Sequence, residues 1–279
     1  MGNLLKRIWA SAPIWAWVVM IVCVIVLVVG LVVSGNRTSS ASSSTPVSAA
    51  PSSVAPASTP STVAFMDAAK ASPETPKTLV LLGDSTGSNP KGWAPALGSA
   101  ISSSLDRPVA TKYWNVATGR YGPMVGLGEG KNGAVGFWNG SAAGKDAAYA
   151  QQNLDELIRP EVTPDLILLN FGRTQDQSKP LATQVQPLVD DLQKKYPNAK
   201  IAVIKQSPDA TAGAGSSDEL SGYAAAMDAE GIQVIDVYSA FPSDSAGRAA
   251  LVDADGNPNE ASQKLWTKTV LTAFGLPST

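Results

Sequence analysis

An unbroken apolar stretch near the N-terminus constrains this chain most. Twenty residues, Ile14–Val33, carry no charge. As a helix this stretch would be about 30 Å long, which matches the hydrocarbon core of a bilayer. Lys6 and Arg7 precede it, and Arg37 is the basic residue that follows it closely. Because basic residues favour the cytoplasmic side, we expect residues 1–13 in the cytoplasm and the rest of the chain outside it.

A cleaved secretory signal is the alternative interpretation of the same stretch. The apolar region of such a signal spans only about 7–15 residues and ends in a small-x-small cleavage site. Val32-Val33-Ser34 does not have that pattern. The sequence therefore favours an uncleaved anchor at residues 14–33, and a single-pass protein of the cell membrane whose C-terminal part is extracytoplasmic.

Residues 34–64 are composed mainly of Ser, Ala, Thr and Pro, with Arg37 as their sole charge. Such a segment has little apolar surface to bury, so we expect a disordered linker.

Residues 65–279 are predicted to form one globular domain, because short apolar runs alternate there with amphipathic stretches. The predicted strands are Thr78–Leu82, Val109–Trp114, Val135–Trp138, Asp165–Phe171, Lys200–Ile204 and Ile232–Val237. The predicted helices are Trp93–Leu105, Asp146–Ile158, Leu181–Tyr196, Ser217–Ala229 and Glu260–Phe274. This alternation favours an α/β fold with a mostly parallel sheet between helices, whose ligands sit at the carboxyl ends of the strands. The glycine-dense stretch 119–136 is expected to be a flexible surface insertion.

Composition excludes several function classes. The chain has no histidine and one cysteine, so imidazole catalysis, Cys/His zinc sites and internal disulfides are excluded. A net charge of -2 gives no reason to expect a nucleic-acid partner. We expect no cofactor and no bound metal.

The first predicted strand ends in Gly83-Asp84-Ser85. A phosphate-binding P-loop requires Gly-Lys-Ser/Thr at its end, whereas Ser88 and Asn89 follow Gly87 here. A serine on a tight turn between a strand and a helix has an exposed hydroxyl and a free backbone N–H, as nucleophiles do. Alternatively, Asp84 or Ser85 only caps the following helix.

Further polar blocks follow other predicted strands. They are Asn139-x-Ser141-x-x-Gly144, Gly172-Arg173-Thr174-Gln175 and the segment from Asp253 to Asn259, where Asn259 is a candidate N-cap. In this order, the blocks resemble the SGNH/GDSL hydrolase superfamily. The resemblance spans residues 77–279 and implies a flavodoxin-like three-layer α/β/α fold that hydrolyses acyl esters of carbohydrates or lipids. It also implies that Ser85 is the nucleophile and that the N–H groups of Ser85 and Gly144 form the oxyanion hole.

The sequence departs from the family pattern at two catalytic positions. Thr174 stands where the third block has an asparagine that donates to the oxyanion; its hydroxyl has a shorter reach, and Gln175 could substitute only after a loop shift. Asn257 stands where the fifth block has its histidine. Three residues before it is Ala254 instead of aspartate, with Asp253 and Asp255 on either side.

A serine needs a neighbouring base to become a strong nucleophile, and an asparagine amide cannot accept its proton near neutral pH. Asp253 or Asp255 is one candidate base, and Lys205 or Lys145 in a serine-lysine pair is another. The sequence therefore predicts impaired hydrolysis.

Three functions remain open at this point. The first is a membrane-tethered esterase with Ser85, Gly144 and Thr174 in the catalytic site. The second is a non-catalytic descendant that binds an acylated glycan or another envelope component, as a surface adaptor or an exclusion protein. The third is a structural envelope protein.

Overall fold

The computed structural model describes residues 58–208, 214–253 and 258–278. The predicted cytoplasmic segment 1–13, the anchor 14–33 and most of the linker lie outside these residues, as do Asp255 and Asn257. Within the described ranges, every helix is too short or too polar to cross a bilayer.

A single sheet forms the centre of the domain. Its strands are β1 (Lys77–Gly83), β2 (Val109–Asn115), β3 (Arg120–Tyr121), β4 (Val125–Gly128), β5 (Val135–Ser141), β6 (Leu166–Asn170), β7 (Lys200–Lys205) and β8 (Gln233–Asp236). The strand order is β3-β2-β5-β1-β6-β7-β8, and β4 pairs with β2. Along the spatial order β2-β5-β1-β6-β7-β8, every neighbouring pair is parallel. The strands β3 and β4 both pair with β2 in the antiparallel direction. The mostly parallel sheet predicted from the sequence is confirmed.

Helices cover the sheet. In chain order they are α1 (Ser61–Ala71), α2 (Trp93–Leu105), α3 (Ala147–Gln152), α4 (Leu154–Leu157), α5 (Leu181–Lys195), α6 (Ala214–Ala229), α7 (Ser245–Ala249) and α8 (Glu260–Ala273). Two short 3₁₀ helices span Ser85–Gly87 and Tyr238–Ala240.

Two predicted segments differ from the structure. The single helix predicted over 146–158 is divided into α3 and α4 at Asn153, whose side-chain amide donates to the carbonyl of Tyr149 over 2.8 Å. The stretch 119–136 is not simply a flexible insertion, because it contains β3 and β4, which pair with β2.

The side chains of β1 show why three layers form. Leu79 and Leu81 pack in one apolar cluster with α1, α2 and α8, while Val80 and Leu82 pack in a second cluster with helices α3 to α6. Successive strand residues point to opposite faces, so a strand that is apolar throughout requires cover on both. The three-layer α/β/α architecture is thus confirmed.

A buried arginine joins α1 to the sheet. Arg107 is 1% exposed, and its guanidinium donates to the carbonyl oxygens of Ala69, Ser72, Thr75 and Gly133 over 2.7–2.8 Å. A cation at the C-terminal end of a helix is favourable because the free carbonyls there are partially negative. The first helix therefore belongs to the domain, although it begins at Ser61, four residues before the predicted boundary.

Candidate active site

Three strand ends lie side by side at one edge of the sheet. Gly83, the last residue of β1, pairs with Ser141 of β5 on one side and with Asn170 of β6 on the other. Because the three strands are parallel, the turn after β1 and the loops after β5 and β6 leave the sheet at the same level. β5 reaches Ser141, three residues further than predicted, and so brings the Gly144 loop to this edge.

The turn after β1 holds Ser85 out of the core. Ser85 begins a 3₁₀ helix and is exposed, whereas its neighbours Asp84 and Thr86 are buried. A Cβ atom on Gly83 would lie 2.5 Å from the carbonyl oxygen of Asn170, so the adjacent strand can approach only because this residue is glycine. Asp84 also caps the 3₁₀ helix by accepting from the N–H of Thr86, as the alternative interpretation of this motif expected.

The carboxylate of Asp84 is fully buried and is held by four neutral donors. One oxygen accepts from the N–H of Thr86 at 3.0 Å and from its hydroxyl at 2.7 Å. The other accepts from the N–H of Arg173 at 3.1 Å and from Nε2 of Gln206 at 3.0 Å. These bonds connect the turns after β1, β6 and β7, and they fix the backbone directly before Ser85.

Asn170 and Gln206 complete this network, and the sequence did not indicate either as a site residue. Asn170 Nδ2 donates to Oγ1 of Thr86 over 2.8 Å, and Gln206 Nε2 lies 2.9 Å from Oδ1 of Asn170. Both residues are the first polar side chains at the end of an apolar strand, and that was the signal available. They are positioning residues because they act on the Ser85 turn through Asp84 and Thr86.

The loop after β5 carries the second expected oxyanion donor. Gly144 is exposed and has a φ of 72°, a left-handed conformation that favours glycine. The loop is joined to the Ser85 turn because the N–H of Ala142 donates to the carbonyl of Gly83 over 2.8 Å. In the described part of the chain, the backbone N–H groups of Ser85 and Gly144 donate to no acceptor.

Thr174 has a different partner from the one expected. Its hydroxyl donates to the carbonyl oxygen of Lys145 over 2.6 Å. This bond links the loop after β6 to the residue next to Gly144, and it engages the proton that the hydroxyl would offer to an oxyanion. Gln175, the other candidate at this block, is buried rather than directed to the surface.

No protein-family profile and no curated protein matches the sequence. Solved structures do match. A two-domain esterase (CEX) active on acetylated mannans is 15% identical with a TM-score of 0.52; the match covers 75% of this chain and 51% of that one. A carbohydrate esterase family 3 protein from Talaromyces cellulolyticus is 15% identical with a TM-score of 0.51, over 70% and 94% of the two chains. The lipase/acylhydrolase from Enterococcus faecalis is 15% identical with a TM-score of 0.48, over 73% and 98%.

The chain has an SGNH/GDSL-hydrolase-like fold. This chain spans about half of the two-domain esterase.

The segment before the last helix contains the polar block that the sequence analysis placed at residues 253–259. Asn259 caps α8 as predicted, since its side chain accepts from the N–H of Ser262 over 3.1 Å. The first turn of α8 adjoins α2, because Oε1 of Gln263 accepts from the N–H of Trp93. Trp93 in turn donates its indole N–H to the carbonyl of Thr86 over 2.9 Å. The start of α8 is therefore connected to the Ser85 turn through one tryptophan.

The residues that the sequence predicts as bases, or in place of the base, differ in their surroundings. Asp253 is described and is exposed, whereas Asp255 and Asn257 lie outside the described residues. Lys205 forms an ion pair with Asp236 at 3.5 Å, and the ammonium group of Lys145 lies 5.2 Å from the ring centroid of Tyr149. Among the described residues, the hydroxyl of Ser85 has no hydrogen-bond partner.

Proposed function

We propose that this chain is an SGNH/GDSL-fold protein that holds an acyl ester at Ser85 and Gly144 and hydrolyses it slowly, outside the membrane to which residues 14–33 anchor it. One observation supports the proposal above the others. Ser85 is exposed on a rigidly held turn, and its N–H group and that of Gly144 are free to bind an oxyanion, yet the chain contains no histidine.

The two backbone N–H groups at Ser85 and Gly144 favour binding of an ester carbonyl. Backbone N–H groups that are already oriented stabilise the negative charge of a tetrahedral intermediate without reorganisation, and one such donor is typically worth about 10²–10³ in rate. The hydrogen bonds of Asp84 to Thr86, Arg173 and Gln206 keep the first donor in place.

The lack of a histidine base favours slow ester hydrolysis. When a serine triad loses one member, a residual acceleration of about 10³–10⁴ over water remains, from binding and the oxyanion hole. A carboxylate such as Asp253 or Asp255 would be a weaker general base than the imidazole that the chain lacks.

Acyl groups on carbohydrates are the first substrates to test. Two solved structures of similar fold are carbohydrate esterases, and one of them is active on acetylated mannans. An anchor followed by a Ser/Ala/Pro-rich segment would place the domain near envelope polysaccharides.

The test is labelling of the full-length chain with a fluorophosphonate, together with turnover of p-nitrophenyl acetate. We expect a label on the wild type that is lost in Ser85→Ala and retained in Ser103→Ala, which removes an exposed hydroxyl on α2. The turnover number should stay far below the range of about 1–10³ s⁻¹ that is common for enzymes. Fast turnover that survives Ser85→Ala would overturn the proposal.

Non-catalytic binding of an envelope glycan is the second candidate. It is supported by the lack of a hydrogen-bond partner for the Ser85 hydroxyl among the described residues, because an activated serine is expected to contact its base. This candidate predicts that the fluorophosphonate leaves Ser85 unlabelled, and that cell-wall polysaccharide binds wild type and Ser85→Ala equally.

A further inference from the structure

A polar cavity lies beside the Ser85 site without including it. Its volume is about 260 Å³, and it opens between the loop after β6, the start of α5, the residues after β7 and α6. Gly172, Arg173, Gln175, Gln206 and Ser207 form its inner wall, whereas neither Ser85 nor Gly144 lines it.

The inner wall carries buried polar atoms that have no partner in the described part of the chain. They are Nε of Arg173, Nε2 of Gln175, Oε1 of Gln206 and Oγ of Ser207. The exposed fractions of Gln175, Gln206 and Ser207 are 7%, 1% and 2%. Buried polar groups are nearly always hydrogen-bonded, so four such atoms on residues that line one cavity favour a polar occupant.

The direction of the Gln206 amide is fixed by its surroundings. Nε2 lies 3.0 Å from Oδ2 of Asp84 and 3.0 Å from the carbonyl oxygen of Asn170, and both of these atoms can only accept. Oε1 must therefore point the other way. A Cβ atom on Gly172 would come within 2.7 Å of Oε1, so glycine at this position leaves room for the amide.

The charges around the cavity balance. Arg173 and Lys179 contribute two positive charges, and Asp176 and Glu219 contribute two negative ones. Lys179 pairs with Asp176 at 3.1 Å, and a carboxylate oxygen of Glu219 accepts from the N–H of Leu181. A lining with no net charge favours a neutral ligand.

We propose that this cavity binds a neutral, hydroxyl-rich ligand of the size of a monosaccharide. A hydroxyl group can accept from donors such as Arg173 Nε and Gln175 Nε2, and it can donate to an acceptor such as Gln206 Oε1. The cavity is somewhat smaller than pockets for drug-sized ligands, whose volumes are about 300–1,000 Å³. This binding does not depend on whether Ser85 is catalytic.

The experiment uses the full-length chain in a detergent that has no sugar headgroup. Saturation-transfer NMR and isothermal titration calorimetry would measure binding of glucose, mannose and N-acetylglucosamine, with glucuronate as the anionic probe and 1-hexanol as the apolar one. The variants are Gln175→Leu and Ser207→Ala, which leave the contacts of Asp84 in place. The control is Gln186→Leu, the same change on the exposed face of α5, where the amide donates to Asp190.

We expect at least one neutral sugar to bind, with an affinity at least tenfold lower in Gln175→Leu and lower in Ser207→Ala, and unchanged in Gln186→Leu. If Gln175→Leu fails to fold, the proposal is tested with Ser207→Ala, which deletes a single oxygen. The proposal is overturned if no neutral sugar binds, which would leave ordered water as the only occupant. A preference for glucuronate or hexanol, or equal affinities in all variants, would overturn it as well.

Discussion

The side-chain amide of Gln206 donates to the buried carboxylate of Asp84 over 3.0 Å, directly below the exposed Ser85. The same nitrogen lies 3.1 Å from the hydroxyl oxygen of Thr86. The position of the serine thus depends on a carboxylate that has four neutral donors, and only a group that accepts at both oxygens satisfies all four.

Replacing Asp84 by asparagine should therefore destabilise the domain. The new NH₂ group would face two of the four donors, and hydrogen bonds to a charged group are worth about 1.5–3 kcal/mol each. We expect the free energy of unfolding to fall by about 2–3 kcal/mol in a urea titration. Asp146→Asn is the matched control, since Asp146 only caps α3 by accepting from the N–H of Tyr149. A loss in the control as large as in Asp84→Asn would contradict this account of the network.

Introducing a histidine at position 257 should increase ester hydrolysis. A positioned general base contributes about 10²–10⁴ in rate, so Asn257→His should raise p-nitrophenyl acetate turnover at least ~100-fold. The rate should rise with pH through about 6.5, because only the neutral imidazole accepts a proton.

Two controls separate this effect from nonspecific imidazole catalysis. Ser85→Ala in the Asn257→His background should abolish the gain, and Asn198→His, on the exposed surface, should give none. If Asn257→His gives no more turnover than Asn198→His, an imidazole at position 257 does not act on Ser85.

The sequence predicted the parallel part of the fold because each buried strand is a short apolar run between turn residues. It did not predict α1, whose first turn, Ser61-Thr62-Val63-Ala64, has the composition of the linker before it. Tertiary contacts hold α1 in the domain. Arg107 binds the carbonyl at its C-terminal end, and Thr62 Oγ1 donates to the carbonyl of Ala273.

The arrangement at the strand ends was predictable where a backbone motif defines it, as at Ser85 and Gly144. It was less predictable where a side chain acts at long range. Gln206 reaches Asp84 across 122 positions of sequence, and Thr174, expected at the oxyanion, donates to Lys145 instead. No periodicity encodes such a pairing, because it depends on which strand ends become neighbours.

The bond from Thr174 to Lys145 can be tested with an isosteric pair. Thr174→Val removes the hydroxyl at constant shape and should lower the free energy of unfolding by about 1 kcal/mol. It should also speed amide hydrogen exchange in residues 142–145, while Thr174→Ser should stay close to the wild type. Identical exchange in the Val and Ser variants would mean that the bond does not hold the Gly144 loop.

Arg107→Met should be among the most destabilising single changes in the domain. It leaves four carbonyl oxygens without their donor, and one buried unsatisfied group costs about 1–3 kcal/mol. We expect a loss of at least ~3 kcal/mol in chemical denaturation, with α1 exchanging its amides first. Arg120→Met, on the exposed face of β3, should change stability little; equal losses would show that α1 does not depend on Arg107.

The partly buried Tyr121 and the fully buried Tyr223 should respond in opposite ways to loss of the hydroxyl. The Tyr121 hydroxyl donates to the carbonyl of Leu157 over 2.9 Å, whereas that of Tyr223 has no partner among the described residues. Near neutral pH, Tyr121→Phe should lower the free energy of unfolding by about 1 kcal/mol, and Tyr223→Phe should raise it by a similar amount.

The same pair contributes to the loss of stability at alkaline pH. Burial raises the pKa of both Tyr121 and Tyr223 above the ordinary value, which is about 10. Above that pH the unfolded chain loses the tyrosine protons while the folded chain keeps them, so stability is complete below about pH 10 and falls as the pH rises further. Tyr223→Phe removes one such contribution, so the stability of this variant should decline less steeply between pH 10 and 11.5 in urea titrations. A decline as steep as that of the wild type would mean that Tyr223 ionises without unfolding of the domain.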